Sequence, residues 1–466
     1  MAAGIAAAGS RAAASSRVAA GSRAGAAAPR RKIRFLIVGQ GIAGTMLAWA
    51  LMRRGCARNF LLVDAGLEYS SSLVSTAVLN PVVFKRMTLS WGSDLVVPAW
   101  NIYEELETFL RGYEGYGGYE GRNTFRFLHR KNLFHIFNDH AEENRWRAAV
   151  HRLHPWLREG HVLKAPLPAG GSAGERGAGG SAGERRAGGG SGERRGGIIY
   201  GSGWINAAVL LRSFRTYLSE CGQLIEEHLH SEQLDISSGI WRCRQGDVLF
   251  DSLILCTGIQ YRYTFGYSLP DSTLPFYPMK GDVLTVDLPE LGYLSGLTGG
   301  KVILQPVFDT GGRVKGRFHA GSSYVRDFSD PAPSEEGRKW ILSQLSEQGF
   351  GSFERLAAAV RGHRAGIRPA SRDRLAYLGS VAADSAAASA PAPAAFGWAP
   401  FGRTAFGRNR QAGDGRQEEG RVCVFNGLGT RGFMLAPALA EKCADFLMSS
   451  QPLPEELSPD RVKNVV

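Results

Sequence analysis

The first clear hydrophobic pattern in the chain is a strand, a helix and a second strand in close succession. Residues 35–38 form an uninterrupted apolar run, typical of a strand buried on both faces of a parallel sheet. Residues 45–52 are apolar over a helical length, and residues 60–63 form the next apolar run. We therefore predict a β-α-β unit at the start of the folded chain.

Glycines occupy the turn between this first strand and the helix. They follow the pattern G-x-G-x-x-G, at Gly39, Gly41 and Gly44. The first permits a tight turn, the second lets backbone approach a pyrophosphate, and the third lets helix pack on strand. Ile42 and Ala43 lie at the helix N-terminus, where backbone N–H groups attract phosphate. Asp64 ends the second strand, where its carboxylate can accept from a ribose hydroxyl. The spacing predicts a dinucleotide site; the alternative is a purely structural glycine turn.

Helical and strand patterns alternate through the rest of the chain. Apolar positions at helical spacing predict helices at residues 91–110, 204–218, 340–360 and 433–447. Alternating or continuous apolar runs predict strands within residues 125–137, 243–258, 277–284, 301–306, 375–378 and 421–425. In the first of these helices, Glu104, Glu105 and Glu107 are placed on the solvent side.

A second glycine-rich turn follows the last of these strands. Its sequence N-G-L-G-T-R-G leads into an apolar helix and contains Gly427, Gly429, Thr430 and Gly432. A flavin dinucleotide is long, and a second helix N-terminus directed at the electron-rich pyrimidine edge of the flavin would bind its far end. A nicotinamide dehydrogenase has no such requirement. The second turn therefore favours FAD over NAD.

Composition limits the remaining possibilities. The 466 residues suffice for two domains, and 44% hydrophobic with 21% charged residues is ordinary for a soluble protein. Six cysteines without a C-x-x-C pair favour a reducing compartment, and we expect a cytoplasmic protein. No apolar run is long enough to span a bilayer, and the isolated histidines suggest no metal site.

Three segments are poor in apolar residues. We predict a disordered leader at residues 1–31 and low-complexity insertions at residues 166–197 and 380–420. The first insertion repeats every nine residues from residue 170. Residues 1–34, 170–197 and 380–421 hold +10 of the net charge of +12, so the rest of the chain is almost neutral. This argues against nucleic acid as a partner.

These motifs together resemble the D-amino acid oxidase-type FAD-dependent oxidoreductase superfamily, in particular its glycine oxidase and sarcosine oxidase-like branch. The resemblance is carried by the first glycine turn, L-I-L-C-T-G at residues 253–258, the Lys280-Gly281 pair, A-G-I-R-P-A-S-R-D-R at residues 365–374 and the second glycine turn. It covers residues 32–165, 198–379 and 421–450 in the order of the family.

The resemblance implies an α/β fold (α+β overall) of two domains. One is a Rossmann-like FAD-binding domain with a parallel sheet, expected at residues 32–95, 198–265 and 356–450. The other is an antiparallel-sheet substrate domain, expected at residues 96–165 and 266–355. Residues 451–466 would form a C-terminal tail.

The resemblance also implies a reaction, namely oxidation of a C–N bond by hydride transfer to flavin N5, followed by hydrolysis of the imine. Arg368 matches the arginine that receives the substrate carboxylate, with an ion pair to Asp373 or a bond to a backbone carbonyl as the alternative, and Arg431 is a weaker candidate. The expected cofactor contacts are made by the residues of both glycine turns together with Asp64, Ser71, Ser72 and Gly258. Non-covalent FAD is expected, and no aromatic residue matches the family's substrate-contacting tyrosine.

Three functions stay open at this point. The first is oxidation of a small amine or amino acid, with oxygen or another molecule as electron acceptor. The second is modification of carboxymethylaminomethyl-uridine in tRNA, for which Arg368 would serve equally well. The third is flavin binding without turnover.

Overall fold

The computed structural model describes residues 31–113, 126–157, 162–166, 193–260, 274–308, 313–381 and 422–462. The leader predicted at residues 1–31 therefore lies outside the described residues except for Arg31, which begins the first strand. Most of both predicted insertions also lies outside them. The fold is described below for the remaining chain.

The helices are as follows: α1 Ile42–Arg53, α2 Ser71–Val74, α3 Val96–Gly112, α4 His140–Ala149, α5 Ala207–Glu220, α6 Glu335–Glu347, α7 Phe353–Ala358 and α8 Gly432–Ser449.

The strands of the first half are β1 Arg31–Val38, β2 Phe60–Asp64, β3 Val78–Leu79, β4 Val82–Val83, β5 Thr88–Leu89, β6 Leu128–His129, β7 Leu133–Ile136, β8 Val162–Pro166, β9 Glu193–Ile199, β10 Gly203–Ile205 and β11 Leu224–Glu226. Those of the second half are β12 Leu234–Asp235, β13 Ile240–Cys243, β14 Gly246–Leu255, β15 Phe276–Asp287, β16 Leu297–Gly299, β17 Ile303–Phe308, β18 Val314–Gly321, β19 Val360–Ser371, β20 Tyr377–Ser380 and β21 Val422–Asn426.

A mixed eight-stranded sheet has a parallel centre. Strands β11, β2, β1, β14 and β21 run parallel in that order, and β12, β13 and β20 add antiparallel pairs. The apolar residues of β1 are buried on both faces, as expected for a central strand, with Ile37 paired to Leu62 on one side and Ile254 on the other. The predicted β-α-β unit is thus present, and the parallel strands end at one edge.

Helices α1, α3, α5 and α8 cover one face of this sheet. Residues 42–52 of α1 are all buried, because the helix lies between the sheet and α8. Pro437 inside α8 has no N–H to donate to the carbonyl of Phe433, and the hydroxyl of Tyr103 on α3 donates to that oxygen at 2.8 Å. This bond links α3 to α8.

A second, largely antiparallel sheet runs in the order β19-β15-β18-β17-β16-β7-β9-β8, in which only the pair β16 and β7 is parallel. Helices α6 and α7 pack on it. The fold class predicted from the sequence is confirmed by these two sheets. Phe276 and Ile367 of the second sheet share a buried cluster with Leu36 and Leu253 of the first, so the two sheets contact each other.

Two elements make their main contacts outside the domain predicted for them. Strand β19, expected in the FAD-binding domain, pairs along its length with β15 in the antiparallel sheet. Helix α3, expected in the substrate domain, packs its apolar face on α8 in the layer covering the parallel sheet. Both contacts are long-range, and the division into domains stays a prediction.

Two predicted helices differ in extent. Residues 204–205 belong to β10, which pairs with β3 and β6, and α5 begins only after Asn206, whose side chain caps it by accepting from Val209 N at 3.3 Å. The helix predicted at residues 340–360 is two helices, separated by Gly349 and Gly351 at positive φ.

The end of the first predicted insertion and part of the predicted C-terminal tail form regular secondary structure. Residues 193–197, predicted as part of the first insertion, lie in β9 and pair with β7 and β8. The predicted tail contains two short 3₁₀ helices, and its Arg461 pairs with Asp373 at 2.7 Å and lies over the ring of Tyr377. Regular structure therefore begins at residue 193, inside the predicted insertion, and extends to residue 462, inside the predicted tail.

Two further observations concern the cysteines and the length and polarity of the helices. All six cysteines lie in the described residues, and none forms a disulfide. Within the described ranges, every helix is too short or too polar to cross a bilayer.

Glu107 is buried, although the sequence pattern placed it on the solvent side of α3. Its carboxylate accepts from the backbone N–H groups of Phe127 and Leu128, each at 2.8 Å, and from Arg111 at 2.6 Å. It therefore joins the helix to the chain entering β6.

We expect Glu107→Ala to lower the free energy of unfolding by about 2–4 kcal/mol, because two buried N–H groups lose their acceptor. Glu104→Ala is the matched control, since Glu104 is exposed and its one ion pair among the described residues is with exposed Arg130; it should cost under about 1 kcal/mol. Urea unfolding measures both. Equal effects of the two substitutions would contradict the role given to Glu107.

Candidate active site

The first glycine turn is closely packed against the neighbouring backbone. Gly39 has φ +100°, and a Cβ there would lie 2.6 Å from the carbonyl oxygen of Cys256 at the end of β14. A Cβ at Gly44 would overlap the carbonyl oxygen of Gly39. Gly41 is the N-cap of α1 and has no side chain to cap the helix. Glycine is thus required at the first and third positions, and no side chain of the turn itself caps the helix N-terminus, where backbone N–H groups attract an anion.

Asp64 lies beside this turn. Its carboxylate accepts from the backbone of Gln40 at 2.7 Å and of Gly66 at 2.8 Å, and pairs with Arg215 at 2.9 Å. The side chain is partly exposed and lines the same cavity as the turn. This is the position at which a ribose hydroxyl was expected.

Two serines of α2 approach the same turn. The hydroxyl of Ser72 accepts from Ile42 N at 3.0 Å, so it binds one N–H group at the N-terminus of α1. Ser71 lines the cavity, as do Ile42 and Ala43. Ser72 therefore supports the turn in addition to lining the space in front of it.

The second glycine turn lies against the first. A Cβ at Gly432 would be 3.2 Å from Cγ2 of Ile42, so the N-termini of α8 and α1 are neighbours. Asn426 donates to the carbonyl of Gly258 at 2.9 Å, which ties the end of β21 to the end of β14. Two turns far apart in the sequence thus meet at one edge of the parallel sheet.

A single cavity of about 1510 Å³ extends past both turns. The cofactor-binding residues predicted from the sequence line it, except Gly44, which is packed against the carbonyl of Gly39. Arg368 and Arg431 line it as well. Pockets for drug-sized ligands are typically 300–1,000 Å³, so this cavity can hold a dinucleotide and leave space for a second molecule.

Arg368 lies in the antiparallel sheet, across from the second glycine turn. Its guanidinium donates to the carbonyl of Ser323 at 3.3 Å and to the hydroxyl of Ser322, and it lies 4.8 Å from the ring centre of Tyr324. The alternative pairing with Asp373 does not occur, because Asp373 binds Arg461. The other alternative, a bond to a backbone carbonyl, is present at Ser323 and leaves the guanidinium without a carboxylate partner among the described residues.

Gly281 explains why the Lys280-Gly281 pair belongs to the motif. A Cβ at position 281 would overlap the guanidinium of Arg368. Lys280 is buried and faces elsewhere, donating to the carbonyl of Ala332 at 2.9 Å. The glycine makes room for the arginine, and the lysine fixes a neighbouring loop.

Tyr324 was not identified from the sequence. It lines the cavity, is 56% exposed and covers Arg368, as a substrate-contacting aromatic residue could. It follows β18 in a segment without a motif, so only its contact with Arg368 identifies it.

A buried carboxylate supports this arrangement. Asp282 is fully buried and accepts from Ser323 Oγ at 2.7 Å and Ser334 N at 2.8 Å, while His363 Nε2 lies 2.9 Å away. Burial would raise the pKa of Asp282, but these hydrogen bonds outweigh it and hold the pKa below its ordinary value. Burial lowers the pKa of Arg368, and the charge of Asp282 opposes that shift.

Arg431 is the N-cap residue of α8 and also lines the cavity. Its guanidinium donates to the carbonyl of Trp91 at 3.0 Å. Burial lowers the pKa of Arg431, and the nearby charge of Arg374 lowers it further. One part of this side chain is thus anchored to the backbone before the helix α3.

Comparison with known proteins identifies the family. The sequence profile described as FAD dependent oxidoreductase matches residues 34–446. The chain belongs to this family. The prediction made from the motifs is therefore confirmed, and the protein is an FAD-dependent oxidoreductase.

Solved structures of other proteins have the same fold as this chain. Glycine oxidase from Geobacillus kaustophilus superposes with a TM-score of 0.63 at 16% identity, covering 92% of this chain and 99% of its own. Iminodiacetate oxidase from Chelativorans sp. BNC1 gives a TM-score of 0.60 at 18% identity, with 91% and 99% covered.

A curated relative gives a weaker sequence match. It is the tRNA 5-methylaminomethyl-2-thiouridine biosynthesis bifunctional protein MnmC of Actinobacillus pleuropneumoniae, 24% identical over 278 residues. The match covers 56% of this chain and 38% of the relative, so the chain spans well under half of that protein.

The residues present fit FAD, the cofactor of the family. The N-terminus of α1 has no side-chain cap from Gly41, and the glycines leave the backbone bare where a Cβ would intrude. The N-terminus of α8 opens on the same cavity. The contacts of individual residues with the cofactor stay predictions.

We expect Gly44→Ala to reduce FAD binding, because the added methyl must displace the backbone at Gly39; overpacking of this kind costs about 1–3 kcal/mol. The control is Gly112→Ala, at a position with open space around it. The flavin absorbance of the purified variants, with circular dichroism to confirm folding, measures the effect. A fully loaded Gly44→Ala protein would show that the turn does not need its third glycine.

Proposed function

We propose that the protein oxidises the C–N bond of a small amine that carries a carboxylate. The observation that supports this most directly is Arg368, a guanidinium on the cavity wall that is covered by Tyr324 and, within the described part of the chain, bonds only neutral oxygens. Two parallel N–H groups of a guanidinium match the two oxygens of a carboxylate. The cavity can hold such a molecule in addition to the dinucleotide.

The reaction can be written for an amine R–NH–CH₂–COO⁻. The C–H bond of the carbon next to nitrogen breaks with its electron pair, the nitrogen lone pair forms the C=N bond, and water then cleaves the imine to R–NH₂ and glyoxylate. FAD, when bound, supplies the hydride acceptor. The chain's contribution is to hold the carboxylate at Arg368 so that this carbon has one orientation.

Proton transfer places few demands on the chain. The part of the cavity lined by residues 321–326, 366–374 and 426–433 is called here the Arg368 end, and its described lining contains no Asp, Glu or His. An amine that arrives neutral needs no protein base, because its lone pair is already free. We therefore assign these residues to binding and orientation.

We expect Arg368→Ala to retain FAD but to lose most amine-dependent flavin reduction, by roughly ten- to a hundredfold in rate at low substrate, because a charge-assisted carboxylate contact is removed. Arg372→Ala is the matched control, since Arg372 is exposed, lies in the same segment and does not line the cavity. Anaerobic stopped-flow absorbance measures the reduction. Undiminished reduction in Arg368→Ala would remove the assigned role.

Gly281→Ala gives a second test of the same site. Its methyl group would displace the guanidinium of Arg368 without changing any charge. The half-saturating amine concentration should rise, and FAD content should stay at the wild-type level.

A second candidate function is supported by the outer wall of the cavity. Lys85, Arg86 and Arg145 are exposed there, and no ion pair joins them to the described residues. Exposed cations suit phosphate groups, and the relative from Actinobacillus is named as a tRNA 5-methylaminomethyl-2-thiouridine biosynthesis protein. The carboxylate-bearing amine would then be part of a modified nucleoside in RNA.

RNA binding distinguishes the two candidates. If the second holds, Lys85→Gln with Arg86→Gln should weaken tRNA binding in filter assays and lower its salt dependence, while reduction by free amines is unchanged. The control is Arg242→Gln with Arg244→Gln, which lies outside the cavity lining. Equal tRNA affinity in both double variants would leave only the small-amine function.

A further inference from the structure

The Arg368 end of the cavity carries more positive charge than one carboxylate requires. Four arginines line it, namely Arg326, Arg368, Arg374 and Arg431. No acidic side chain of the described residues lines this part of the cavity. The acids that line the cavity elsewhere are Asp64, Glu68, Asp139, Glu142 and Glu227, on other segments.

Arg374 lacks the partner that its neighbour in sequence could provide. Both carboxylate oxygens of Asp373 are bound to Arg461, at 2.7 and 3.2 Å, and one also accepts from Leu375 N at 3.0 Å. Asp373 does not line the cavity, whereas Arg374 does. Arg374 is exposed and makes no hydrogen bond or ion pair through its side chain with any described residue.

The backbone at Arg374 is also unfavourable for an arginine. Its φ is +66°, in the left-handed region that glycine adopts at little cost and other residues adopt at about 1–2 kcal/mol. The chain reverses at this residue, so that Asp373 faces the C-terminal tail and Arg374 lies on the cavity wall.

Arg374 and Arg431 form a pair of like charges. Leu428 and Ala370 form a β-bridge, which brings the loop after β19 next to the second glycine turn. The charge of Arg374 acts unfavourably on Arg431. Two guanidinium groups held on neighbouring segments of one cavity wall repel each other, and an anion bound by both relieves that repulsion. The phosphates of the dinucleotide are expected at the other turn, at the N-terminus of α1, so they do not account for this pair.

We propose that the substrate carries a second anionic group, which Arg374 binds together with Arg431 while Arg368 holds the first carboxylate. The substrate class is an amine with a carboxylate on one arm and a carboxylate or phosphate on the other. This inference rests on the proposed function for the identity of the first group. Arg374 is then a specificity residue.

A binding experiment tests this without requiring turnover. Thiodiacetate and (methylthio)acetate have sulfur in place of the amine and differ in one carboxylate. Each is titrated into the FAD-loaded full-length protein while the flavin spectrum is recorded. Thiodiacetate should bind roughly ten- to a hundredfold more tightly, and Arg374→Gln should remove most of that difference while leaving (methylthio)acetate unaffected. Arg372→Gln, at an exposed position away from the cavity, should change neither.

Anaerobic flavin reduction then distinguishes the sources of the second anion. Iminodiacetate supplies a carboxylate, N-(phosphonomethyl)glycine supplies a phosphonate, and sarcosine supplies neither. The preferred dianionic amine should half-saturate at a concentration roughly tenfold or more below sarcosine, and Arg374→Gln should abolish this preference with the maximal rate preserved.

The outcomes separate the two proposals. Equal binding of thiodiacetate and (methylthio)acetate, or an equal loss of both in Arg374→Gln, would overturn the second anion site while leaving the proposed function intact. Tighter binding of thiodiacetate that depends on Arg374, with no reduction by any amine, would support the anion site and overturn the proposed function.

Discussion

Direct contact between backbones at the carboxyl edge of the parallel sheet determines where everything else in the site lies. The carbonyl of Gly39 lies under Gly44, and the carbonyl of Cys256 lies under Gly39, so neither glycine can carry a side chain. Because α1 begins at this contact and Gly432 packs on Ile42, the N-termini of α1 and α8 open on the same space. A dinucleotide cavity follows from that packing, since helix N-termini and bare backbone amides are what an anionic cofactor needs.

The elements whose physical signal is local could be predicted from the sequence alone. A buried apolar strand, a glycine turn and an apolar helix all lie within one short segment, and the chemistry of each glycine is visible without its partners. The second turn could be found in the same way. Assignments that depend on distant partners were less successful. The pairing of β19 with β15 and the packing of α3 on α8 involve residues far apart in the chain, and no period in the sequence reports them. Trp204 and Ile205 fit a strand or a helix equally; Asn206, a common N-cap, was the available sign that the helix begins after them.

The substrate side of the site shows the same limit. Arg368 could be selected because it stands in a recognisable motif, but its surroundings come largely from β15, from the residues after β18 and from Ser334. Tyr324 covers Arg368, and Gly281 leaves room for its guanidinium. Asp282 binds the hydroxyl of Ser323, and the carbonyl of the same serine accepts from Arg368. A buried aspartate is costly unless its oxygens are bonded, and here His363, Ser323 and Ser334 provide those bonds. Nothing in the order of residues around position 282 indicates that they converge.

Arginines that hold elements of the fold together differ from those that line the cavity in the partners that their guanidinium groups have. Arg54 binds Glu441 and Asp445, each at 2.7 Å, which joins α1 to α8, and Arg461 takes both oxygens of Asp373 to fasten the C-terminal segment. In these places each guanidinium has a carboxylate, and the ion pair serves packing. At the Arg368 end the guanidinium groups have carbonyls, hydroxyls or no partner among the described residues. Unpaired charge of one sign costs folding free energy through mutual repulsion, and an anionic ligand bound there relieves it. The difference is therefore best understood as a binding property, because Arg54 and Arg461, which fasten α1 to α8 and the C-terminal segment to the loop after β19, are each paired with carboxylates.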